Sequence, residues 1–316
     1  MVARHSRILD RALTRLKLRQ LRLLAAVGRH GNIQNAAREM GVSQPAATKM
    51  IKDLELDFEV ILFERTNRGV IPTVFGDALI RHGKLILAQV SNAAQDLDDL
   101  SEGNAGRVVV GTLLAASPNL LPTAIDRLLA RRPKVAIKIV EGTNEVLTPA
   151  LLSGEIDMIV GRLPSRVQQA GIVRERLLDE TILAVCGPQH PLAGQAVSHF
   201  ATLQPFGWVL PPAETTLRRQ ADQYFVRQGG WGYTPQIVID SVSYLANRAL
   251  LRRQDLIGLM PAHVAALDIE RGVLARIRWP VPFGSGPVGA SHRGEDSLSP
   301  AARTFLDALR EAGATV

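Results

Sequence analysis

Apolar positions in the first quarter of the chain recur every three to four residues, broken at a few points. Leu18, Leu21, Leu24, Ala25 and Val27 share one helical face, and the stretch from Gly28 to Gly31 stops the run. Asn32 is placed to cap a second helix, Ile33 to Met40, because its short side chain can accept from first-turn amides. Gly41 supplies the positive φ of a tight turn. Ser43 caps a third helix to about Phe58, with Pro45 in its first turn, where a missing N–H costs nothing. Two short strands, Phe63 to Thr66 and Val70 to Pro72, flank a turn-forming tip at Asn67-Arg68-Gly69.

From 73 to 103 the pattern predicts one long helix capped by Thr73. Leu79, Gly83, Ile86, Val90, Ala93, Leu97 and Leu100 alternate by four and three residues, a heptad seam whose opposite face is polar. A seam that narrow asks for a partner helix, and packing on its own domain is the alternative. Gly103-Asn104-Ala105-Gly106 ends the helix as a hinge. From 107 onward strands and helices alternate. Arg107 to Thr112, Val135 to Glu141 and Ile156 to Gly161 are β-branched runs, with helices over Leu120 to Arg131 and Val146 to Leu152. That rhythm implies a parallel sheet. A second set follows: strands near Ile172 to Arg176, Thr181 to Cys186, Gln236 to Ile239, Leu256 to Leu259 and Leu274 to Ile277. Helices near Leu217 to Gln228, Tyr244 to Arg253 and Ala262 to Arg271 separate the later strands. Two α/β lobes of this kind leave a cleft between them, where small ligands usually bind.

Charge sharpens this division. Residues 1–72 hold 13 Lys and Arg against 7 Asp and Glu, whereas residues 73–106 hold 2 against 5. The basic excess therefore sits in the head and favours an anionic partner there. Cys186 stands alone, which rules out an internal disulfide and fits a reducing compartment. No secretory signal and no bilayer-length apolar run is evident, so the expectation is a soluble, cytoplasmic protein.

The densest chemical signal is Ala36-Ala37-Arg38-Glu39-Met40-Gly41-Val42-Ser43-Gln44-Pro45-Ala46. Small residues let two helices approach, Gly41 turns the chain, and Ser43 starts a helix whose outward end can enter a major groove. Gln44, Thr48, Lys49 and Lys52 lie on its polar side. Asn35-Ala36-Ala37-Arg38 with Val42 to Ala46 and Leu62-Phe63-Glu64-Arg65 closely resembles the winged helix-turn-helix of LysR-type transcriptional regulators. The resemblance extends through Gly69-Val70 and Pro72-Thr73 into the long helix. It implies that Asn32, Ser43, Gln44, Pro45, Ala46, Thr48, Lys49, Lys52, Arg65 and Arg68 meet double-stranded DNA. Gln44 is expected to read a base edge, since an amide can bond adenine bidentately. Thr48 and Lys49 stand where the family usually has Ser and Arg.

The C-terminal part is similar to the effector domain of the same family, which has a type 2 periplasmic-binding-protein fold. Val108 to Thr112, Gly154-Glu155-Ile156-Asp157-Met158, His190-Pro191-Leu192-Ala193 and Gly258-Leu259-Met260-Pro261 carry that likeness. Val140 to Thr143, Val160 to Pro164 and Trp208 to Pro212 with Leu217-Arg218-Arg219 resemble the subgroup named for a regulator of a galactose-binding protein. The implied effector contacts are Ala115, Ser117, Thr143, Arg162, Pro212, Thr215, Thr216 and Ser243. The hydroxyls have capping of their own helices as the plainer role, and Arg162 a bond to the Pro164 turn.

The expected architecture is α/β: a basic extension over 1–16, a winged helix-turn-helix over 17–73, a dimerising linker helix and hinge over 74–106, and a two-lobed effector domain over 107–316. The expected effector is a sugar, a sugar acid or an aromatic or organic acid. The expected assembly is a homodimer through the linker helix, doubled to a homotetramer, with RNA polymerase as a candidate partner. No cofactor, metal or membrane is expected. Nucleophile-elbow, phosphate-loop and zinc-helix motifs are missing from the sequence, and its histidines have no metal-ligand spacing. A solute-binding protein and an enzyme acting in the cleft remain the alternatives.

Overall fold

A computed structural model of the chain describes residues 2–67, 69–102, 105–116, 118–164, 171–229, 235–253, 255–284 and 286–315. It divides into two compact units, Met1–Leu97 with Leu152–Glu155, and Asp98–Leu151 with Ile156–Val316.

The first unit opens with α1 (Val2–Arg15), then α2 (Leu18–His30), α3 (Ile33–Glu39) and α4 (Gln44–Phe58). Leu23, Leu24, Val27, Ala36, Ala37, Ala47, Ile51 and Leu54 form their common core. The alanines matter because close packing of helix on helix leaves no room for longer side chains. The caps follow local chemistry. Asn32 Oδ1 accepts from the amides of Gln34 at 2.8 Å and Asn35 at 3.2 Å. Gly41 turns the chain at φ 63°, and Ser43 Oγ accepts from Ala46 N at 3.4 Å. β1 (Phe63–Thr66) and β2 (Gly69–Pro72) pair antiparallel, with Thr66 opposite Gly69. α5 (Val74–Glu102) is the long helix, and Thr73 Oγ1 caps it by accepting from Gly76 N at 3.1 Å.

Two differences from the sequence pattern have clear causes. Residues 2–15 form a helix rather than a bare basic extension. Arg7 and Arg11 pair with Glu59, and Arg15 with Asp57, at the acidic end of α4. The heptad seam of α5 also divides its work. Leu79 packs on the core of the helical head, and Gly83 abuts Leu21. Ile86, Val90 and Leu97 stay exposed. The side chain of Leu100, like Gly103 and Asn104, lies outside the described residues.

The second unit holds two lobes. The first is built on β3 (Ala105–Thr112), α6 (Leu120–Arg131), β4 (Lys134–Glu141), α7 (Asn144–Leu152), β5 (Met158–Arg162) and β6 (Val173–Glu180). The chain then crosses to the second lobe. That lobe comprises β7 (Ile182–Cys186), β8 (Gly207–Leu210), α8 (Thr216–Gln228), β9 (Ile237–Asp240), α9 (Tyr244–Leu251), β10 (Leu256–Pro261), α10 (Ala262–Glu270) and β11 (Ala275–Ile277). It returns to the first lobe as β12 (Gly286–His292) and α11 (Pro300–Gly313).

Among the described residues the two sheets run β4-β3-β5-β12-β6 and β11-β7-β10-β8-β9. Both are mixed, not purely parallel as the strand–helix rhythm predicts. β12 lies antiparallel to β5 and β6, and β7 lies antiparallel to β10 and β11. Strand direction is set by where the chain returns, which local pattern does not encode. Gly289 lets β12 bulge against β6, because a Cβ there would lie 1.8 Å from the Glu175 carbonyl oxygen. Each sheet has helices on both faces. In the first lobe α6 and α11 cover one side, with Leu128, Phe305 and Leu309 fully buried, and Leu147 of α7 fills the other. In the second lobe Trp208, Phe225 and Trp279 form an aromatic core.

Candidate functional site

The helical head presents one polar surface. Gln44, Pro45, Ala46, Lys49 and Lys52 are exposed along α4 and Thr48 is half-buried. All of these but Ala46 line a shallow hollow, while Ala47, Ile51 and Leu54 face the core. This split is what a recognition helix requires: one side anchored, the other offering an amide, a hydroxyl and two ammonium groups. Asn32 and Ser43 commit their side-chain oxygens to caps, which fix the first turns of α3 and α4 respectively. The head is braced further where His30 Nε2 meets Glu39 Oε2 at 2.6 Å and Arg29 reaches Oε1 at 2.8 Å. The hydrogen bond from His30 leads in holding the Glu39 carboxyl below its usual range. Arg65 is exposed on β1, and Arg68 lies outside the described residues.

The second unit contains a cleft of about 1380 Å³ between its lobes. Strand ends and helix starts converge there: Thr112 ends β3, Glu141 ends β4, Arg162 ends β5, and α7, α8 and α9 begin beside it. Strand carboxyl ends of this kind are where α/β proteins place ligands. Thr143, Arg162, Thr215, Thr216 and Ser243 all line it, as does Ala115. Ser117 lies outside the described residues. Pro212 is not among the lining residues; its carbonyl accepts from Thr215 Oγ1 at 2.8 Å, and Pro211 faces the cleft instead.

The predicted contacts differ in what they leave free. Thr215 Oγ1 accepts from Arg218 N and Ser243 Oγ accepts from Ala246 N, each at 3.3 Å, so both cap their own helices. Thr143 precedes α7 but does not cap it, and its buried Oγ1 has no partner. Arg162 pairs with Glu180 of β6 rather than with the Pro164 turn. Its side chain is 11% exposed and that of Glu180 0%. Burial lowers the Arg162 pKa and raises that of Glu180 to about 7, and the mutual attraction opposes both.

Among the residues that escaped the sequence pattern, two line the cleft and one stands behind it. Tyr244 lines the cleft and gives its hydroxyl to Asp268 Oδ2 at 2.6 Å, while Arg248 Nε holds the same oxygen at 2.5 Å. Asn247 lines it and donates Nδ2 to the Ser241 carbonyl at 3.3 Å. Glu180 backs Arg162 from β6, across the intervening strand β12. Tyr244 and Asn247 read as ordinary members of a short helix, and only the packing of α9 against the cleft singles them out. Among the described residues no three His, Cys, Asp or Glu gather as a metal site, and no helix is long and apolar enough to cross a membrane.

Comparison with known proteins agrees with both halves. Residues 18–77 match the bacterial regulatory helix-turn-helix protein family of the LysR type, and residues 101–314 match the LysR substrate binding domain. The chain is 33% identical over 303 residues to the HTH-type transcriptional regulator GbpR of Azospirillum brasilense, covering 95% of this chain and 88% of that one. It is 32% identical over 300 residues to the regulator PcaQ of Agrobacterium fabrum, covering 94% and 95%. Among solved structures, a full-length OxyR variant from Pseudomonas aeruginosa superposes with a TM-score of 0.65 at 24% identity, over 93% of this chain and 95% of that one. The LysR family regulator CbnR gives 0.64 at 22%, over 94% and 99%. These two likenesses concern the fold. With a matching head, a matching substrate domain and relatives aligned over nearly its whole length, this chain belongs to the LysR family of transcriptional regulators.

Proposed function

We propose that this regulator reads DNA through α4 and adjusts that reading to a small molecule held between its lobes. The observation that carries the proposal is the exposed row Gln44, Pro45, Lys49 and Lys52 on a helix whose other face is locked into the head. Gln44 reads a base edge; Thr48, Lys49, Lys52, Arg65 and Arg68 hold phosphates; Pro45 and Ala46 offer apolar contact to a thymine methyl. A structure of the regulator CbnR in complex with its target DNA supports DNA binding as the role of such a head. The exposed part of the α5 seam pairs two chains, and two such pairs assemble as a homotetramer, so that heads meet two-fold-related half-sites. RNA polymerase is the partner that would convert binding into altered transcription. Such work places the protein in the cytoplasm.

The cleft binds without turning its ligand over. Ala115, Thr143, Arg162, Thr215, Thr216 and Ser243 form the effector site, and a structure of the LysR-type regulator LysG of Corynebacterium glutamicum with its effector arginine bound supports effector binding by analogy. Effector binding shifts the assembly only as far as it favours one state over another. The test is a gel shift with the DNA upstream of the chain's own gene, repeated across a salt series. Specific retardation that weakens steeply with salt is expected. No retardation at low salt would return the two-lobed unit to the solute-binding reading, and conversion of a bound ligand to product would favour an enzyme.

A further inference from the structure

Resting on the reading of the cleft as an effector site, we infer that Glu180 is a positioning residue for it. Through Arg162, Glu180 ties the wall of the cleft to the hinge between the lobes, so that the state of this one ion pair sets how the lobes stand. Both crossings between the lobes are abrupt, and both meet the first lobe beside Glu180. Glu180 ends β6 and Ile182 opens β7, so the outgoing crossing is Thr181 alone. On the way back Gly284 still packs in the second lobe, where a Cβ on it would lie 2.8 Å from both Ile182 and Leu217. Gly286 already pairs with Glu180 in the sheet of the first lobe. The second lobe grips the outgoing crossing as well, since the Ala262 amide donates to the Thr181 carbonyl at 2.8 Å. Rotation of one lobe on the other must therefore be absorbed by backbone next to Glu180, as hinges absorb it in a few residues at element ends.

The Glu180 carboxylate is buried at that point and meets Arg162 of β5 across β12. Gly286 runs alongside the pair: a Cβ on it would lie 3.9 Å from Arg162 Nη1. Arg162 also lines the cleft, and its side chain is 11% exposed. One rigid fork of N–H donors thus looks to the ligand space on one side and to the hinge carboxylate on the other. An acceptor arriving in the cleft draws on that same fork. Glu180, with 0% of its side chain exposed, has no solvent to compensate it. A buried charge whose partner turns away is strongly destabilised, so the strand ends around it must adjust.

The other charged groups on the surrounding elements are engaged elsewhere or face the cleft. On β6, Asp179 pairs with Arg176, and Glu175 is held by His292 of β12 and Arg310 of α11. Asp307 of α11 pairs with the same Arg310. Arg174 of β6 lines the cleft, as do Arg219, Glu141, Glu145 and Glu214. β12 sets Gly286 and Pro287 beside the end of β6, and β7 begins with the apolar Ile182. Arg162 is the group whose charge bears on Glu180, and burial outweighs it, lifting the carboxyl to about 7. A proton can therefore neutralise Glu180 and release Arg162 with nothing in the cleft, which makes pH a probe of the clasp.

The test places spin labels on the full-length protein at Lys138→Cys in β4 of the first lobe and Ala266→Cys in α10 of the second. Both positions are exposed, while the native Cys186 is buried. Labelled chains are diluted into unlabelled protein, and the distance between lobes is followed by electron spin resonance across pH values on either side of 7. That distance should shift with a midpoint near 7. Glu180→Gln should abolish the shift and hold the lobes at their low-pH spacing, and Glu180→Asp, which keeps a carboxylate, should restore a pH response. Thermal unfolding checks that each variant is folded. If Glu180→Gln alone does not fold, the neutral pair Arg162→Gln with Glu180→Gln, which strands no charge, takes its place. A distance that ignores pH in the native chain, or that responds equally in the variant lacking the Glu180 carboxylate, overturns the inference. A gel shift on the same samples separates the clasp from the reading beneath it. A pH-driven lobe shift in a chain that ignores DNA upholds the clasp and rejects the regulator. DNA binding by a chain whose lobes do not answer to Glu180 rejects the clasp alone.

Discussion

The Nε2 of His263, at the start of α10 in the second lobe, donates to the carbonyl oxygen of Ala115 in the first lobe at 2.6 Å. The neighbouring Ala262 amide donates to the carbonyl oxygen of Thr181, at the first crossing between lobes, at 2.8 Å. One end of α10 thus holds both the crossing and the loop that walls the cleft. Replacing His263 by Ala strands the Ala115 oxygen, which should cost about 1–3 kcal/mol of stability. Urea unfolding should register that loss. His263→Gln, which keeps a donor, should recover part of it. A midpoint unmoved by His263→Ala would show that the bond does not hold the lobes.

On the DNA side, Gln44 and the lysines should separate by phenotype. Gln44→Ala should lose about 1–3 kcal/mol of discrimination at one base position. Lys49→Ala and Lys52→Ala should weaken all sequences alike and each reduce the salt slope by about 1. Binding to a randomised pool of sites would distinguish them, and unchanged base preference in Gln44→Ala would remove it from the reading surface.

The Arg162–Glu180 pair should leave a mark on the pH dependence of stability. Burial raises the Glu180 carboxyl from 4.5 to about 7 in the folded protein. Between those values the folded state holds more protons than the unfolded one, so this group makes stability fall as pH rises through the window. Its contribution is most favourable below 4.5 and level above about 7. The stability of the native protein relative to Glu180→Gln should therefore decline across that interval in urea titrations. A difference that rises with pH would reverse the sign argued here.

The exposed part of the α5 seam should govern assembly. Val90→Asp places a charge among apolar positions that a partner helix would bury, and burying an unpaired carboxylate is costly. Sedimentation should show a smaller particle, and DNA affinity should drop with the loss of the proposed pairing of heads on paired half-sites. Unchanged mass would move the dimer contact elsewhere.

Much of the head was legible because its determinants are local. Asn32, Gly41, Ser43 and Thr73 act within three residues of themselves, so spacing reveals them. The arginines of residues 1–16 were legible as charge, but their acceptors Glu59 and Asp57 lie some fifty residues on, which hid α1. The cleft was half legible. The positions after strand ends were visible, but whether a hydroxyl serves its helix or a ligand depends on geometry: Thr215 and Ser243 turn inward to their own amides and Thr143 does not. β12 was hidden for another reason. Its sequence, Gly286-Pro287-Val288-Gly289-Ala290-Ser291-His292, has little strand propensity, and it becomes a strand only by slotting between two others.

That slot has a consequence for biosynthesis. The β6 strand cannot join the sheet of its lobe until β12 arrives to bridge it to β5, more than a hundred residues later. A nascent chain therefore leaves the ribosome with its helical head complete while the sensor's first sheet still lacks the strand that joins β6 to β5. Truncation between the end of α5 and residue 286 should strip the molecule of control while sparing the part that grips a promoter.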